Sequence, residues 1–254
     1  MKKPVLAIVG GLGKVGMQIA LELEKIFECF VFIDSLQPTK EQIYFFEASF
    51  LGRWKTEVAD VSNTIEIVSL FEKYNIDVCI GAVPSFLQYK VTEAASQYGN
   101  CHYFDLGASQ KCLDQQKGLG ETFRQNQKVV MPFCGFDPGM LNMLLLSCVK
   151  HIDCDEIKVY VGGIAETKPE NRFVHYWTFN PESTLETYRG NVSAIQNSKL
   201  VTVNPLEGYV NLNIGLHYYE AFFTNCGNKE VMEYISKTAT HLKTCEIKTA
   251  RHVG

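Results

Sequence analysis

A short apolar run at residues 5–9 passes straight into Gly11, Gly13 and Gly16, spaced as GxGxxG within VLAIVGGLGKVG. A strand that ends in such a turn and opens a helix is the entry to a parallel sheet with helices on both faces. Gly11 permits the tight turn and Gly13 lets a diphosphate approach the backbone. Gly16 brings the following helix close to the sheet. Backbone N–H groups of the first helical turn, at Lys14, Val15 and Gly16, then face the anion. The context supports this reading. Residues 14–27 place Val15, Ile19, Leu23 and Ile26 at helical spacing, and the next apolar run, 30–33, ends on Asp34. Asp34 lies 23 residues beyond Gly11, near the roughly 20-residue separation at which this fingerprint requires a carboxylate for the ribose hydroxyls. A carboxylate there repels a 2′-phosphate, so NAD is favoured over NADP. The alternative is that Asp34 only begins a turn before Ser35 and Pro38.

With 254 residues, 46% of them hydrophobic, the chain can fill one large core or two modest ones, and two domains are expected. A net charge of -4, with no cluster of Lys and Arg, argues against a nucleic-acid footprint and an anionic membrane surface. The start, MKKPVLAIVGG, breaks at glycines before a signal core could form, and no later run approaches a membrane span. A soluble, cytoplasmic protein is expected. The nine cysteines are odd in number and include no CxxC, so reduced thiols are expected, with Cys29, Cys79 and Cys148 as small hydrophobes. No pair among the six His has zinc spacing, and no metal site is expected.

The alternation of strand and helix continues through residue 133. Residues 37–51 form a poor, aromatic-rich helix candidate. Residues 55–59 read as a third strand ending on Asp60, with Ser62 or Asn63 capping the next helix. Asp60, beside Val61, either meets the adenine amino group or serves as a loop or capping residue. The near-continuous apolar run 77–82 leads into Ala82, Val83 and Pro84, a junction expected at the carboxyl edge where a cofactor lies. A helix over 86–98 and a strand over 102–106 containing Asp105 follow. A helix over 113–126 and a strand over 128–133 complete six units. Asp137 and Pro138 suit a helix start. From residue 156 the texture becomes alternating and aromatic, with Asn197, Ser198 and Lys199 as a turn and a covering helix over 229–242. The expected fold is a Rossmann doubly wound parallel sheet over 1–137, followed over 138–254 by an α+β domain with a mixed or antiparallel sheet.

Across nearly its whole length the chain resembles the saccharopine dehydrogenase-like oxidoreductases, with the lysine 6-dehydrogenase branch nearest. The resemblance rests on GGLGKVG, AVPSF, YFDLG, GFDPGMLNML, VYVGGI, YYEAFFT and EIKTARHVG. It implies an amino acid bound in a cleft and oxidised at a carbon bearing nitrogen, the hydride passing to the nicotinamide and the imine then hydrolysing. Asp34 leans toward the NAD-using lysine branch, whereas Asp137 in GFDPG is more similar to the saccharopine branch. Similar chains continue beyond the segment matching EIKTARHVG, so a fragment or a shortened relative is expected here. Pairing of two copies through the second domain is also implied. If activity has been lost, the competing reading is a catalytically silent NAD-binding sensor or subunit. A Ser-His-Asp hydrolase is remote because GxSxG is absent.

Such chemistry requires a base for the substrate ammonium and donors for its carboxylate. Asp137 is the first candidate for the group nearest the reacting amine, its alternative role being a helix cap. Asn142 either assists or is an ordinary helix-surface residue. The substrate grip is expected from Arg172, His175, Tyr176 and Trp177 in NRFVHYW, and from Glu220 and Thr224 in YYEAFFT. Arg172 can pair bidentately with a carboxylate or stand solvated. His175 can equally be an ordinary sheet histidine.

Overall fold

The hydrophobic alternation of the first half becomes a sheet buried on both faces. The computed structural model describes residues 3–170, 180–215 and 217–253, and the chain divides into two compact units, Met1–Gly135 and Phe136–Gly254. Six strands form the first sheet: β1 (Val5–Val9), β2 (Cys29–Asp34), β3 (Trp54–Val58), β4 (Val78–Gly81), β5 (His102–Asp105) and β6 (Val130–Met131). Their order is β3-β2-β1-β4-β5-β6 and every pairing is parallel. The helices between them are α1 (Lys14–Glu22), α2 (Lys40–Phe50), α3 (Thr64–Tyr74), α4 (Gln88–Tyr98), α5 (Gln110–Lys117) and α6 (Gly120–Gln125). A 3-10 turn, Ser85–Leu87, leads into α4. This is the doubly wound architecture, in which the chain reverses direction across the sheet between β1 and β4.

Alternate residues of each strand feed two cores. Leu6, Ile8, Phe30 and Phe32 pack with Ala20, Phe46 and Phe50, whereas Ala7, Val9, Val31 and Ile33 pack with Ile67, Phe71, Val91 and Phe123. The aromatic segment that reads poorly as a helix is α2. Phe46 stacks on Phe32 with ring centroids 4.3 Å apart, and Phe50 lies 4.7 Å from Phe30. Thr39 starts it with a capping box: its hydroxyl accepts from the Gln42 N–H while the Gln42 side chain accepts from the Thr39 N–H. The helix expected over 113–126 is two helices, α5 and α6, separated at Gly118 and Leu119.

The second unit contains α7 (Met140–His151), β7 (Glu156–Val161), α8 (Pro181–Glu186), β8 (Val192–Gln196), β9 (Lys199–Val203), β10 (Val210–Ile214), β11 (His217–Phe222), α9 (Lys229–Thr238) and β12 (Thr244–His252). Its sheet runs β10-β11-β12-β8-β9, antiparallel throughout, and β7 adds to β12 in parallel, so the sheet is mixed. Asn197 and Ser198 connect β8 to β9 with φ of 51° and 61°, the geometry of a two-residue hairpin turn. Leu141 and Leu145 of α7, with Val231, Met232 and Ile235 of α9, bury one sheet face at Ile195, Cys245 and Ile247. Among the described residues no helix is long and apolar enough to cross a membrane.

The turn after β1 leaves no space for side chains at two of the fingerprint glycines. A Cβ on Gly16 would stand 2.7 Å from the Gly10 carbonyl oxygen and 2.9 Å from the Gly11 Cα, and one on Gly11 would stand 2.7 Å from the Ile8 carbonyl oxygen. These neighbours are backbone and cannot turn aside. Gly16→Ala is therefore expected to cost about 1–3 kcal/mol, read as a lower urea midpoint, whereas Gly13→Ala, whose Cβ would meet only the Gly10 oxygen at 3.2 Å, leaves the midpoint near wild type. Equal midpoints for Gly16→Ala and wild type would contradict this steric account.

Candidate functional site

The glycine turn lies at the carboxyl ends of the parallel strands, where a doubly wound sheet opens its crevice. Gly10, with φ of 81°, donates its N–H to the Ile33 carbonyl at 2.8 Å, and the Ala82 N–H donates to the Val9 carbonyl at 2.7 Å. The turn is thus fastened to the ends of both β2 and β4. Gly13 is the N-cap of α1 and supplies no side chain, so the first-turn N–H groups at Lys14, Val15 and Gly16 lack an intrahelical acceptor. Gly13, Lys14 and Val15 are exposed. This arrangement suits a diphosphate, because the N–H groups point outward and the helix dipole favours an anion.

Asp34 stands beside the turn at the end of β2. Its Oδ2 accepts from the Leu12 N–H at 3.1 Å and its Oδ1 from the Ser35 N–H at 2.8 Å. Each oxygen retains a lone pair for a ribose hydroxyl. Gln42, which the sequence did not single out, donates to the Leu12 carbonyl at 2.8 Å and ties α2 to the same loop. Its signal was the spacing of Thr39 and Gln42 as a capping box. The residues present therefore fit a dinucleotide: a side-chain-free helix start, outward amides and a carboxylate one loop away.

The other expected cofactor contacts divide. Ala82, Val83 and Pro84 follow β4 and are partly exposed, with Val83 held by Gln88 Nε2 donating to its carbonyl at 2.9 Å. Asp60 is exposed two residues after β3 and accepts from the Ser62 N–H at 2.9 Å, which holds its carboxyl below the usual range. Val61 packs its side chain against the core. Asn63, not Ser62, caps α3. Asp105 corrects the expectation placed on it. It is 0% exposed, its Oδ1 accepting from the Gly107 and Phe133 N–H groups at 2.8 and 3.2 Å and its Oδ2 from Gln116 Nε2 at 2.6 Å. A carboxylate so enclosed fastens β5 to the following loops and has no surface left for a ligand.

In the second unit, Asp137 precedes α7 but does not cap it. The N-cap is Gly139 and no side chain bonds to that helix start, so the capping alternative falls away. Instead Asp137 Oδ1 accepts from Asn228 Nδ2 at 3.3 Å. Burial pushes its carboxyl up to about 6, only partly opposed by that amide. Asn228, 8% exposed at the start of α9, leaves its Oδ1 without a partner, and Asn142 Oδ1 on α7 is likewise buried and unbonded. Cys226 lies in the same group of side chains: burial first, then the Asp137 carboxylate, push its thiol up to about 11.

The expected substrate residues are not all brought to this place. Thr224 is 5% exposed, and its hydroxyl is shared between Thr249 Oγ1 at 2.5 Å and Cys226 Sγ at 3.1 Å, so it braces the second sheet rather than facing solvent. Glu220 is half-buried in β11, and its carboxylate pushes the Tyr209 hydroxyl up after the effect of burial. Arg172, His175, Tyr176 and Trp177 lie outside the described residues. The sequence did not single out Asn228 or Cys226 beside Asp137, although Asn228 before the amphipathic segment 229–242 was an available helix-start signal.

Residues 135–254 match the family model of the saccharopine dehydrogenase C-terminal domain. Among solved structures, the yvaA protein of Bacillus subtilis, named as a candidate oxidoreductase, is similar at 13% identity and a TM-score of 0.50, with 99% of this chain covered. An oxidoreductase from Bacillus cereus is 14% identical with a TM-score of 0.48, again over 99% of this chain. The chain spans 64% and 65% of the lengths of those two proteins. For the Bacillus subtilis protein, likeness at such identity is likeness of fold alone. No curated protein matches the chain.

The buried Asp137 carboxyl makes a signed prediction. Because its value is raised in the fold from 3.8 to about 6, its stabilising contribution is complete below the unfolded value and is lost as pH rises through about 6. The separation corresponds to at most about 3 kcal/mol. Relative to Asp137→Asn, wild type is expected to lose about 2 kcal/mol in urea unfolding between pH 4.5 and 8. Parallel stability curves for the two proteins would show that the carboxyl is not desolvated.

Proposed function

We propose that the chain is an oxidoreductase that uses a nicotinamide dinucleotide, NAD in preference to NADP, to oxidise a C–N bond of lysine or a lysine-derived amino acid. The observation that carries the reading is the glycine turn with its outward amides and the Asp34 carboxylate beside it. The match of residues 135–254 to a saccharopine dehydrogenase C-terminal domain supports the substrate class.

In this reading Gly11, Gly13 and Gly16, with the N–H groups of Lys14 and Val15, hold the diphosphate. Asp34 holds the ribose hydroxyls and disfavours a 2′-phosphate by charge. The backbone at Ala82, Val83 and Pro84 borders the bound cofactor, and Asp60 meets the adenine amino group. The bound nicotinamide supplies the hydride acceptor. Asp137 is the proton acceptor for the substrate ammonium: with its value near 6 it is ionised at neutral pH yet close enough to exchange a proton efficiently. The carbon loses hydride, the nitrogen loses a proton to Asp137, and the resulting iminium takes up water and splits into a carbonyl compound and ammonia or, from a secondary amine, a primary amine. Asn228 orients the carboxylate through its amide.

Mixing the purified chain with NAD and L-lysine or L-saccharopine is expected to raise absorbance at the wavelength of the reduced cofactor, with a rate that grows as pH passes about 6. Asp34→Ala is expected to weaken NAD binding roughly 10-fold and to bring the NAD and NADP affinities together. Tight NAD binding with no turnover on any amine would favour the silent nucleotide-binding reading. Unchanged affinities in Asp34→Ala would remove the cofactor assignment itself.

A further inference from the structure

One face of β12 changes character along its length. Cys245 and Ile247 point into the core beneath α7 and α9, and the next residues on the same side are Thr249 and Arg251. Arg251 is partly exposed, but its Nε is buried and has no hydrogen-bond partner. Its Nη1 donates at 3.1 Å to the carbonyl of Ala250, its own neighbour. Nε and Nη2 form the edge that takes a carboxylate through two parallel bonds, and among the described residues nothing is bonded to it. Glu220 is directly opposite Arg251 in the β11–β12 register, where cross-strand charges normally pair. Among the described residues, however, no carboxylate lies within ion-pair distance of Arg251.

A partly desolvated guanidinium without an anion is unfavourable, and an unpaired buried N–H adds to the cost. The same neighbourhood holds the opposite deficiency. Asn228 carries a buried oxygen without a donor, and it is bonded to Asp137. The Cys226 thiol links the two groups, being influenced by both the Asp137 carboxylate and the Arg251 guanidinium. One end of this cluster therefore lacks an acceptor and the other lacks an N–H donor.

We propose that Arg251 is the anchor for a ligand carboxylate, so that this cluster accepts an amino acid in preference to the corresponding amine without a carboxyl group. The inference rests on the amine-oxidation reading for the identity of the cationic end, which Asp137 and Asn228 receive. It commits the site to a ligand carrying both charges. Arg251 thereby sets specificity, and it is distinct from the arginine at position 172 that the sequence nominated.

Calorimetric titration of the full chain tests this with three probes: L-lysine, L-saccharopine and 1,5-diaminopentane. Wild type is expected to bind at least one carboxylated probe about 10- to 100-fold more tightly than the diamine. Arg251→Gln is expected to abolish that preference while leaving NAD affinity unchanged and the melting midpoint no lower than that of wild type, and Arg251→Lys to restore part of the preference. Equal affinity of wild type for diamine and amino acids, no binding of either carboxylated probe, or a preference that survives Arg251→Gln would each overturn the proposal. Failure of NAD to bind wild type would overturn the redox reading instead, because the lysine titrations report on Arg251 without the nucleotide.

Discussion

The first unit depends on how closely the turn after β1 approaches the ends of its two neighbouring strands. Gly10 donates to β2 through Ile33, and a Cβ there would meet the Ala82 carbonyl oxygen at 2.5 Å and the Val83 side chain at 3.0 Å. Gly11 is enclosed from the other side by Ile8 and Phe32. Only a chain without side chains at these positions can place the start of α1 directly on the sheet edge. Gly13 differs from its neighbours in facing mainly open space. The absence of a side chain there serves something outside the protein core, whereas at Gly11 and Gly16 it serves the core.

A second constraint is a chain of buried polar groups behind that edge. Gln88 donates to the Gly81 and Val83 carbonyls, Tyr103 donates to Gln88, and Gln116 bridges Thr92 to Asp105 at 2.7 and 2.6 Å. Every one of these side chains is 2% exposed or less. Buried polar groups stabilise only when satisfied, and here the bonds run to backbone oxygens and amides that would otherwise be orphaned at strand ends. The network fixes the backbone at residues 81–83, on the border of the nucleotide cradle. Asp105 belongs to this supporting layer, which is why it resembles a site residue in sequence and yet has no free surface.

The parts of the fold legible in the sequence were those governed by short-range rules. The GxGxxG turn, the amphipathic α1, the strand ending on Asp34 and the Asn197–Ser198 hairpin each follow from steric or periodic constraints within a few residues. The α2 helix was obscure because its stability comes from rings on another element, Phe30 and Phe32, and its propensity alone is poor. Asp105 was misassigned because strand-end acids look alike until their donors are known, and those donors come from positions 107, 116 and 133. The Asp137–Asn228 pair spans 91 residues, a separation that no local pattern encodes. Arg251 lay within a recognised segment, but its significance is that a partner is missing, which only a structure can show.

The second unit retains two features that stability alone does not favour. Asp137 is withdrawn from water with a single amide as partner, and Arg251 has a buried N–H with none. Replacing either by a neutral, well-packed residue removes a desolvation penalty, so a chain optimised only for folding would lose them. The same sheet also shows what a buried charge pair looks like when it is satisfied: Lys248 and Glu246 meet at 2.8 Å, Gln196 donates to the other Glu246 oxygen, and the ammonium lies 4.7 Å from the Phe223 ring centroid. The contrast is on a single strand, β12, with the satisfied pair at its middle and the unsatisfied guanidinium near its end. Burial there is compatible with full pairing, so the incomplete pairing around Asp137 and Arg251 is what the proposed ligand would complete.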